Sequence, residues 1–327
     1  IVELAFMSNE VTIVIPTFNR PDLVTRAIKS VIEQNYNEKI VCVVVDSSSN
    51  LQTNNQVLQI QEQILELDNR EIKYIKNEES FFPIDNWIIG LEEVNTKYSK
   101  FLCDDDWLDT DYISFLIDQM QKENTSCAIS NINVHKETNG EIKIINDYYS
   151  FETGVIPTTN VVNGYLNLGS ILPATPTASI MLSEKLKESF YFALKHIECT
   201  SQLFGFDFLI NYYGSFDKTG TYVTNRSLAN SWAGKDSMTL NVKISLLSYC
   251  NFFALLRLIE KFSIQIDSVQ LQQIQNILFN IKLKSRFDKR FKEIYFDVPY
   301  KPKMNLIKMF INIVKRFYIK TKYRLIS

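Results

Sequence analysis

VTIVIPTFNRPDLVTRAIKSVIEQNYNEKIVCVVVD, residues 11–46, opens and closes in short apolar, β-branched runs. Each run has the length of a buried strand, and each is closed by a proline or polar turn. Between them Leu23, Val24, Ala27, Ile28, Val31 and Ile32 recur at helical spacing. Pro21 takes a first-turn position, where its missing N–H is no loss. Strand, helix and strand at this spacing make a βαβ unit, and strands apolar on both faces imply a parallel sheet covered by helices.

The pattern continues outward. A polar, helix-compatible stretch (52–67) leads to EIKYIKN (71–77), a third strand. NWIIGLEEV (86–94) reads as a helix, and YSKFLC (98–103) as a fourth strand running into Asp104, Asp105 and Asp106. Open α/β sheets bind ligands at the carboxyl ends of their strands, so residues 16–20, 46–50 and 104–106 can converge on one crevice. Neither GxGxxG nor GxxxxGK[ST] follows the first strand, which argues against a dinucleotide dehydrogenase and a P-loop NTPase. Adjacent aspartates repel one another. The triplet is therefore either a solvated acidic turn or a cradle for a hard divalent cation.

The second half is less regular. SCAISNINVH (126–135) and EIKIINDYY (141–149) alternate like exposed strands, and ILPATPTASIMLS (171–183) reads as a proline-punctuated loop entering a strand. GFDFLINYYG (205–214) reads as a helix ended by Gly214, with a strand around TYVTN (221–225). From about Thr239 the pattern is helical, which divides the chain into an α/β domain, 7–238, and a helical region, 239–327.

Composition fits a soluble globular protein: 327 residues, 46% hydrophobic, 22% charged, net charge −2 and only 9 glycines, which excludes disorder. The five cysteines are scattered and odd in number, which suits reduced thiols in a cytoplasm better than a disulfide framework. With two histidines, a His-rich metal site is excluded. No apolar run approaches the roughly 18 residues of a membrane span, and no signal peptide is visible. IVELAF precedes Met7, the expected natural start. From Ile281 onward fourteen Lys/Arg face three acids, so an acidic body carries a basic tail.

IPTFNRPDLVTRAIKSVIEQNY, VVVDSSS, NWIIGL and FLCDDDWLDTDYI, in this order, resemble a family 2 glycosyltransferase of the GT-A fold, of the bacterial surface-polysaccharide type. The resemblance covers residues 11–112, with weaker echoes to about Thr239. DxD alone is common, but the ordered set at the right strand ends is specific. The resemblance implies a central, mostly parallel sheet with a C-terminal helical extension, and a nucleotide-sugar donor, first a UDP-sugar. It also implies Mg²⁺ or Mn²⁺ as the Lewis acid that neutralises the departing diphosphate.

Residue by residue, Asp106 matches the metal ligand and Asp104 the residue on ribose or metal. Asp105 lies on the donor side between them, pointing elsewhere. Pro16, Thr17 and Phe18 match the lining of the base; Asn19 and Arg20 either face the donor or cap the following helix. Asp46 matches the acid near ribose or base, whereas Ser47 stands where relatives carry a second polar acid or amide, which leaves dTDP and GDP open. Catalysis in the family is usually inverting, with a carboxylate base in the second half. Asp207 fits that place, or a purely structural first-turn role, with Glu198 and Glu184 in reserve. Gly234 stands where relatives often carry a histidine, and Lys235 is an alternative partner for the diphosphate. Trp107 can stack on a sugar; Trp87 reads as core, and His135 and His196 as packed or surface residues.

The implied acceptor is a saccharide, free or lipid-linked. MNLIKMFINIVKRFYIK (304–320) has a wide apolar face with basic edges, which suits an anionic membrane surface at the inner face of the cell membrane. A core-facing terminal helix with solvated lysines is the other reading. No nucleic-acid module accompanies the tail. A fold kept for nucleotide-sugar binding or scaffolding without turnover is the non-enzymatic alternative. A phosphohydrolase is disfavoured, because its DxD belongs on the first strand.

Overall fold

The computed structural model describes residues 9–78, 83–145, 151–168, 172–196, 205–216, 219–234 and 244–285. The first part of the chain runs β1 (Val11–Thr17), α1 (Pro21–Ile32), β2 (Ile40–Asp46), α2 (Gln52–Gln63), β3 (Arg70–Lys76), α3 (Pro83–Glu92), β4 (Tyr98–Phe101), β5 (Trp107–Leu108) and α4 (Tyr112–Glu123). Then follow β6 (Cys127–Thr138), β7 (Glu141–Ile145), β8 (Gly154–Ile156), α5 (Thr158–Leu168), a 3-10 turn (Pro176–Ala178), β9 (Ser179–Leu182), α6 (Ser183–Lys195), α7 (Phe206–Ser215) and β10 (Thr221–Ala233). Helices α8 (Ile244–Lys261) and α9 (Ser268–Ser285) form the expected extension.

The sheet order is β3-β2-β1-β4-β9-β6-β10-β5, with β7 on β6 and β8 on β10. Strands β3, β2, β1 and β4 are parallel. Strand β9 runs antiparallel to both β4 and β6, and β10 is parallel to β6, so β6 and β10 point the same way as the first four. The mostly parallel α/β sheet expected from the sequence is thus present, with β9 reversed at its centre.

Alternation along β1 and β2 sends Val14, Val43 and Val45 into one core and Ile13, Ile15 and Val44 into the other, which is why these strands read as unbroken apolar runs. Helix α1 closes the second core with Val24, Ala27, Ile28 and Val31, all fully buried. Each larger aliphatic among them contributes about 1.5–3 kcal/mol on burial. A charge at Ile28 would split this face.

Register carries the acidic triplet to its place. Val14 pairs Phe101 on one side of β1, and Thr17 pairs Asp46 on the other. The same offset, carried past Phe101, sets Thr17 beside Asp104.

Two expectations change. Residues 127–132 of β6 are buried, because this mid-sheet strand has core on both faces, Cys127 and Ile129 in one and Ala128 and Ile132 in the other; β7 is the exposed strand. Gly214 does not end α7, which runs on to Ser215; the missing side chain lets the Met181 thioether pack against the helix. The expected boundary near 239 and the basic tail lie outside the described residues. Among those described, no helix is long and apolar enough to cross a membrane.

Candidate functional site

The chain turns sharply after β4. The Asp106 N–H donates to the Cys103 carbonyl at 3.1 Å, so strand alternation stops at Cys103. Asp104 faces back to the first strand: Thr17 Oγ1 donates to its Oδ2 at 2.9 Å and Arg20 Nη1 to its Oδ1 at 3.1 Å. Arg20 also reaches Asp105 Oδ2 at 3.4 Å. Arg20 occupies the N-cap of α1 but makes no side-chain cap bond, so its side chain belongs to the acids rather than the helix. Asn19 sits in the left-handed region at φ 54°. Its Oδ1 accepts from Ser49 N at 3.1 Å, and its own N–H donates to Ser48 Oγ at 2.7 Å. Pro16 is half-buried, whereas Phe18 is 46% exposed at the mouth of this crevice, which removes core packing as its role.

Asp46 is fully buried and organises the next loop. Its Oδ1 accepts from the backbone N–H of Ser48 at 2.8 Å and from the Ser48 hydroxyl, and its Oδ2 from the Tyr74 hydroxyl at 2.8 Å. Lys76 stands 3.9 Å away. Ser47 Oγ accepts a 3.0 Å bond from Asn86 Nδ2 on α3.

Asp106 is held from the second half of the chain. Thr177 Oγ1 donates to Oδ2 at 2.6 Å, Trp232 N donates to Oδ1 at 3.0 Å, and the Ser231 side chain adds a further bond. Below Thr177 lies Lys100, 1% exposed, its Nζ donating to the Thr177 carbonyl at 2.6 Å and standing 4.0 Å from the Tyr112 ring. Burial lowers the Lys100 ammonium well below the usual lysine range, against the pull of Asp106. Sequence reading missed Thr177, Lys100 and Trp232. The proline-flanked PTA turn before a buried strand was the available signal.

Crowding sets the electrostatics. Burial, then the charge of Asp105, pushes Asp104 up to about 6 despite Arg20 and Thr17. Asp105 and Asp106 are also raised, mainly by burial, and Asp106 further by Asp105. Cys103, Asp105 and Asp106 offer ligand atoms within 4.8 Å of one another. Asp105 thus lies within ligand reach of Asp106, beside the Asp104–Asp106 pair that the resemblance implies, because the turn at Cys103 breaks the strand. Two desolvated carboxylates this close, each disfavoured without a counter-charge, fit Mg²⁺ or Mn²⁺.

Asp207 lies in the first turn of α7, after Gly205 at φ 87°. The residue is exposed to solvent, while desolvation by the surrounding protein, then the charge of Asp105, raises its carboxyl to about 7. Glu184 lies at the other end of the sheet, since Leu182 pairs the first residue of β4, and so drops out as a reserve base. Glu198 and Lys235 lie outside the described residues. A Cβ at Gly234 would lie 2.2 Å from Trp232 Nε1, so the indole takes the room that a side chain there would need.

Trp87 is core, its ring 4.5 Å from that of Phe101. Trp107 is occupied by Arg26 at 3.9 Å and His135 at 4.4 Å, which replaces the sugar-stacking expectation. His196 packs on Phe192. A pocket of 430 Å³ between α1 and β5 lies behind the acidic turn, and an apolar one of 320 Å³ lies between α8 and α9. The second offers a single carboxyl, Glu260, so the chemistry concentrates at the strand ends.

The sequence profile of Glycosyl transferase family 2 matches residues 12–189, more than half of the chain. The chain belongs to this family. Among curated proteins, this family 2 member is 34% identical over 133 residues to the GalNAc(5)-diNAcBac-PP-undecaprenol beta-1,3-glucosyltransferase of Campylobacter jejuni. It is 25% identical over 134 residues to Glycosyltransferase GlyA of Streptococcus pneumoniae. These alignments cover 40% and 41% of the family 2 chain but only 40% and 18% of the relatives. Among solved structures, S. aureus TarS 1–349 aligns with TM-score 0.53 at 14% identity, over 89% of this chain and 81% of that one. The same protein in complex with UDP-GlcNAc gives 0.53 at 13%, over 87% and 83%. At such identity the likeness carries the fold alone, and it agrees with the GT-A expectation.

Proposed function

We propose that this chain transfers a sugar, with inversion, from a nucleoside-diphosphate donor to a hydroxyl of a saccharide acceptor. A UDP-sugar is the first candidate donor, and the TarS complex with UDP-GlcNAc supports it. The Campylobacter relative, named for an undecaprenol-linked acceptor, supports a lipid-linked saccharide.

One observation carries the reading. The acidic turn, with Asp105 and Asp106 in reach of one cation, lies at the carboxyl ends of parallel strands beside exposed Phe18, and Asp207 feels the charge of Asp105. In this reading Phe18, Pro16 and Thr17 receive the base, while the loop braced by Asn19 and Asp46 shapes the ribose side. Arg20 and Thr17 fix Asp104, and Thr177 and Trp232 fix Asp106. A bound Mg²⁺ or Mn²⁺ would supply charge neutralisation for the departing diphosphate, held by Asp106 with Asp105 or Asp104.

Asp207, as carboxylate, takes the acceptor hydroxyl proton while that oxygen bonds to the anomeric carbon. The carbon–oxygen bond to the diphosphate breaks on the opposite face, and the diphosphate leaves with the bonding pair. A carboxyl lifted to about 7 is a stronger base than an ordinary aspartate and still ionises near neutrality.

The test is a thermal-shift panel of UDP, GDP and dTDP with and without Mn²⁺, followed by UDP-sugar hydrolysis. The expected result is Mn²⁺-dependent stabilisation by UDP, and turnover that Asp207→Asn lowers by about 10²–10⁴ while UDP binding stays. No metal-dependent nucleotide binding would overturn the reading. Binding without turnover in the parent protein would favour the scaffold alternative.

A further inference from the structure

Arg26 leaves the middle of α1 and reaches the back of the acidic turn. Its Nη2 donates to the Asp105 carbonyl at 2.6 Å. Its guanidinium carbon lies 3.9 Å from the Trp107 ring centre and 5.4 Å from that of Trp232. Its Nε finds no acceptor among the described residues, so the stacked rings and one carbonyl hold the group in place. Trp107 directly follows the acids, and Trp232 is the residue whose N–H orients Asp106. One planar cation thus touches the turn on both sides of Asp106 and also the strand that holds Asp106. Gly234 completes the arrangement, because any Cβ there would collide with the Trp232 indole.

We propose that Arg26 is a positioning residue that locks the end of β10 onto the acidic turn, presetting Asp105 and Asp106 for a divalent cation. The proposal rests on the metal-dependent reading above and deepens it. A guanidinium is required because only a planar cation can lie against both indoles while donating to a carbonyl.

Mn²⁺ alone, titrated against the full chain and followed by the free-ion EPR signal, tests this without any sugar or turnover. Arg26→Met is expected to weaken Mn²⁺ uptake about tenfold, the scale of a charge-assisted hydrogen bond together with cation stacking on two rings. Arg26→Lys keeps the charge and recovers only part of the loss. Gly234→Ala alters no charge, yet it is expected to weaken uptake in the same direction by pushing the indole off Arg26. Both Arg26→Met and Gly234→Ala should shift the tryptophan emission of Trp107 and Trp232. Should Arg26→Met fail to fold, Gly234→Ala carries the same test.

Variants that bind Mn²⁺ like the parent, or that leave the emission unchanged, overturn the positioning role alone. A parent protein that takes up no Mn²⁺ overturns the metal site itself, and with it this role; that result is read before any variant is made.

Discussion

The Thr177 hydroxyl donates to Asp106 Oδ2 at 2.6 Å across 71 positions of sequence. The contact follows from the direction of β9. Ser99 pairs Met181 and Tyr98 pairs Leu182, so continuing this antiparallel register past Phe101 brings Cys103 opposite Thr177. The Cys103 N–H indeed points to Thr177 Oγ1 at 3.5 Å. Lys100 pins the Thr177 carbonyl from below.

Thr177→Val keeps the volume and deletes the hydroxyl. Asp106 would retain Trp232 N and Ser231, so the fold should persist. A hydrogen bond to a charged group is worth about 1.5–3 kcal/mol, so Mn²⁺ or Mn²⁺-UDP affinity should fall roughly ten- to hundredfold. Calorimetric titration checks it.

Phe18→Ala should separate binding from folding. The ring is 46% exposed, so the melting temperature should hardly move. If the ring packs on the base, UDP binding should weaken by about 0.5–1.5 kcal/mol. Unchanged affinity would remove Phe18 from the donor site.

The raised carboxyls set a pH dependence with a definite sign. Asp104 at about 6 and Asp207 at about 7 hold protons in the native state that an unfolded chain, with the ordinary aspartate value of 3.8, has already released. Metal-free protein should therefore lose stability as pH rises from about 4 through about 7, and level off above that. Stabilisation by Mn²⁺ should run the other way and grow over the same interval, because the ion competes with protons for these oxygens. Thermal melts in EDTA and in Mn²⁺ across the range read both slopes.

Gly214→Ala tests the packing under α7. A Cβ there would stand 2.6 Å from the Met181 sulfur and terminal carbon, on a strand that cannot shift without moving Thr177. Methionine is pliable, so a cost of about 1–3 kcal/mol is expected in urea unfolding.

The stretch up to β4 was legible because β1 and β2 are apolar and buried, β4 is buried and α1 is amphipathic, so period and composition name these elements, whereas β5 and α4 were not read. Strand ends then placed residues 16–20, 46–50 and 104–106 together. Legibility failed where the partner is distant. Residues 127–132 of β6 read as an exposed strand, since nothing local announces that core will cover both its faces. That Asp105 comes within reach of Asp106 and Cys103 depends on a turn at Cys103 that breaks alternation. Arg26, Lys100, Thr177 and Trp232 carry ordinary local signals; their meaning lies in partners up to 126 positions away, the separation of Trp232 and Asp106.

The reversed polarity of β9 limits how such a chain can be cut. The motifs that carry the family 2 resemblance all lie within residues 11–112, whereas the family profile runs on to residue 189. A fragment ending at Tyr112 would lack the hydroxyl and the amide that aim Asp106, because the first arrives in the 3-10 turn leading into β9 and the second on β10, and both strands are inserted between β4 and β5. Motif-complete is therefore not the same as function-complete here, and trimming or fusing such a chain is governed by strand insertion rather than by where its signatures stop.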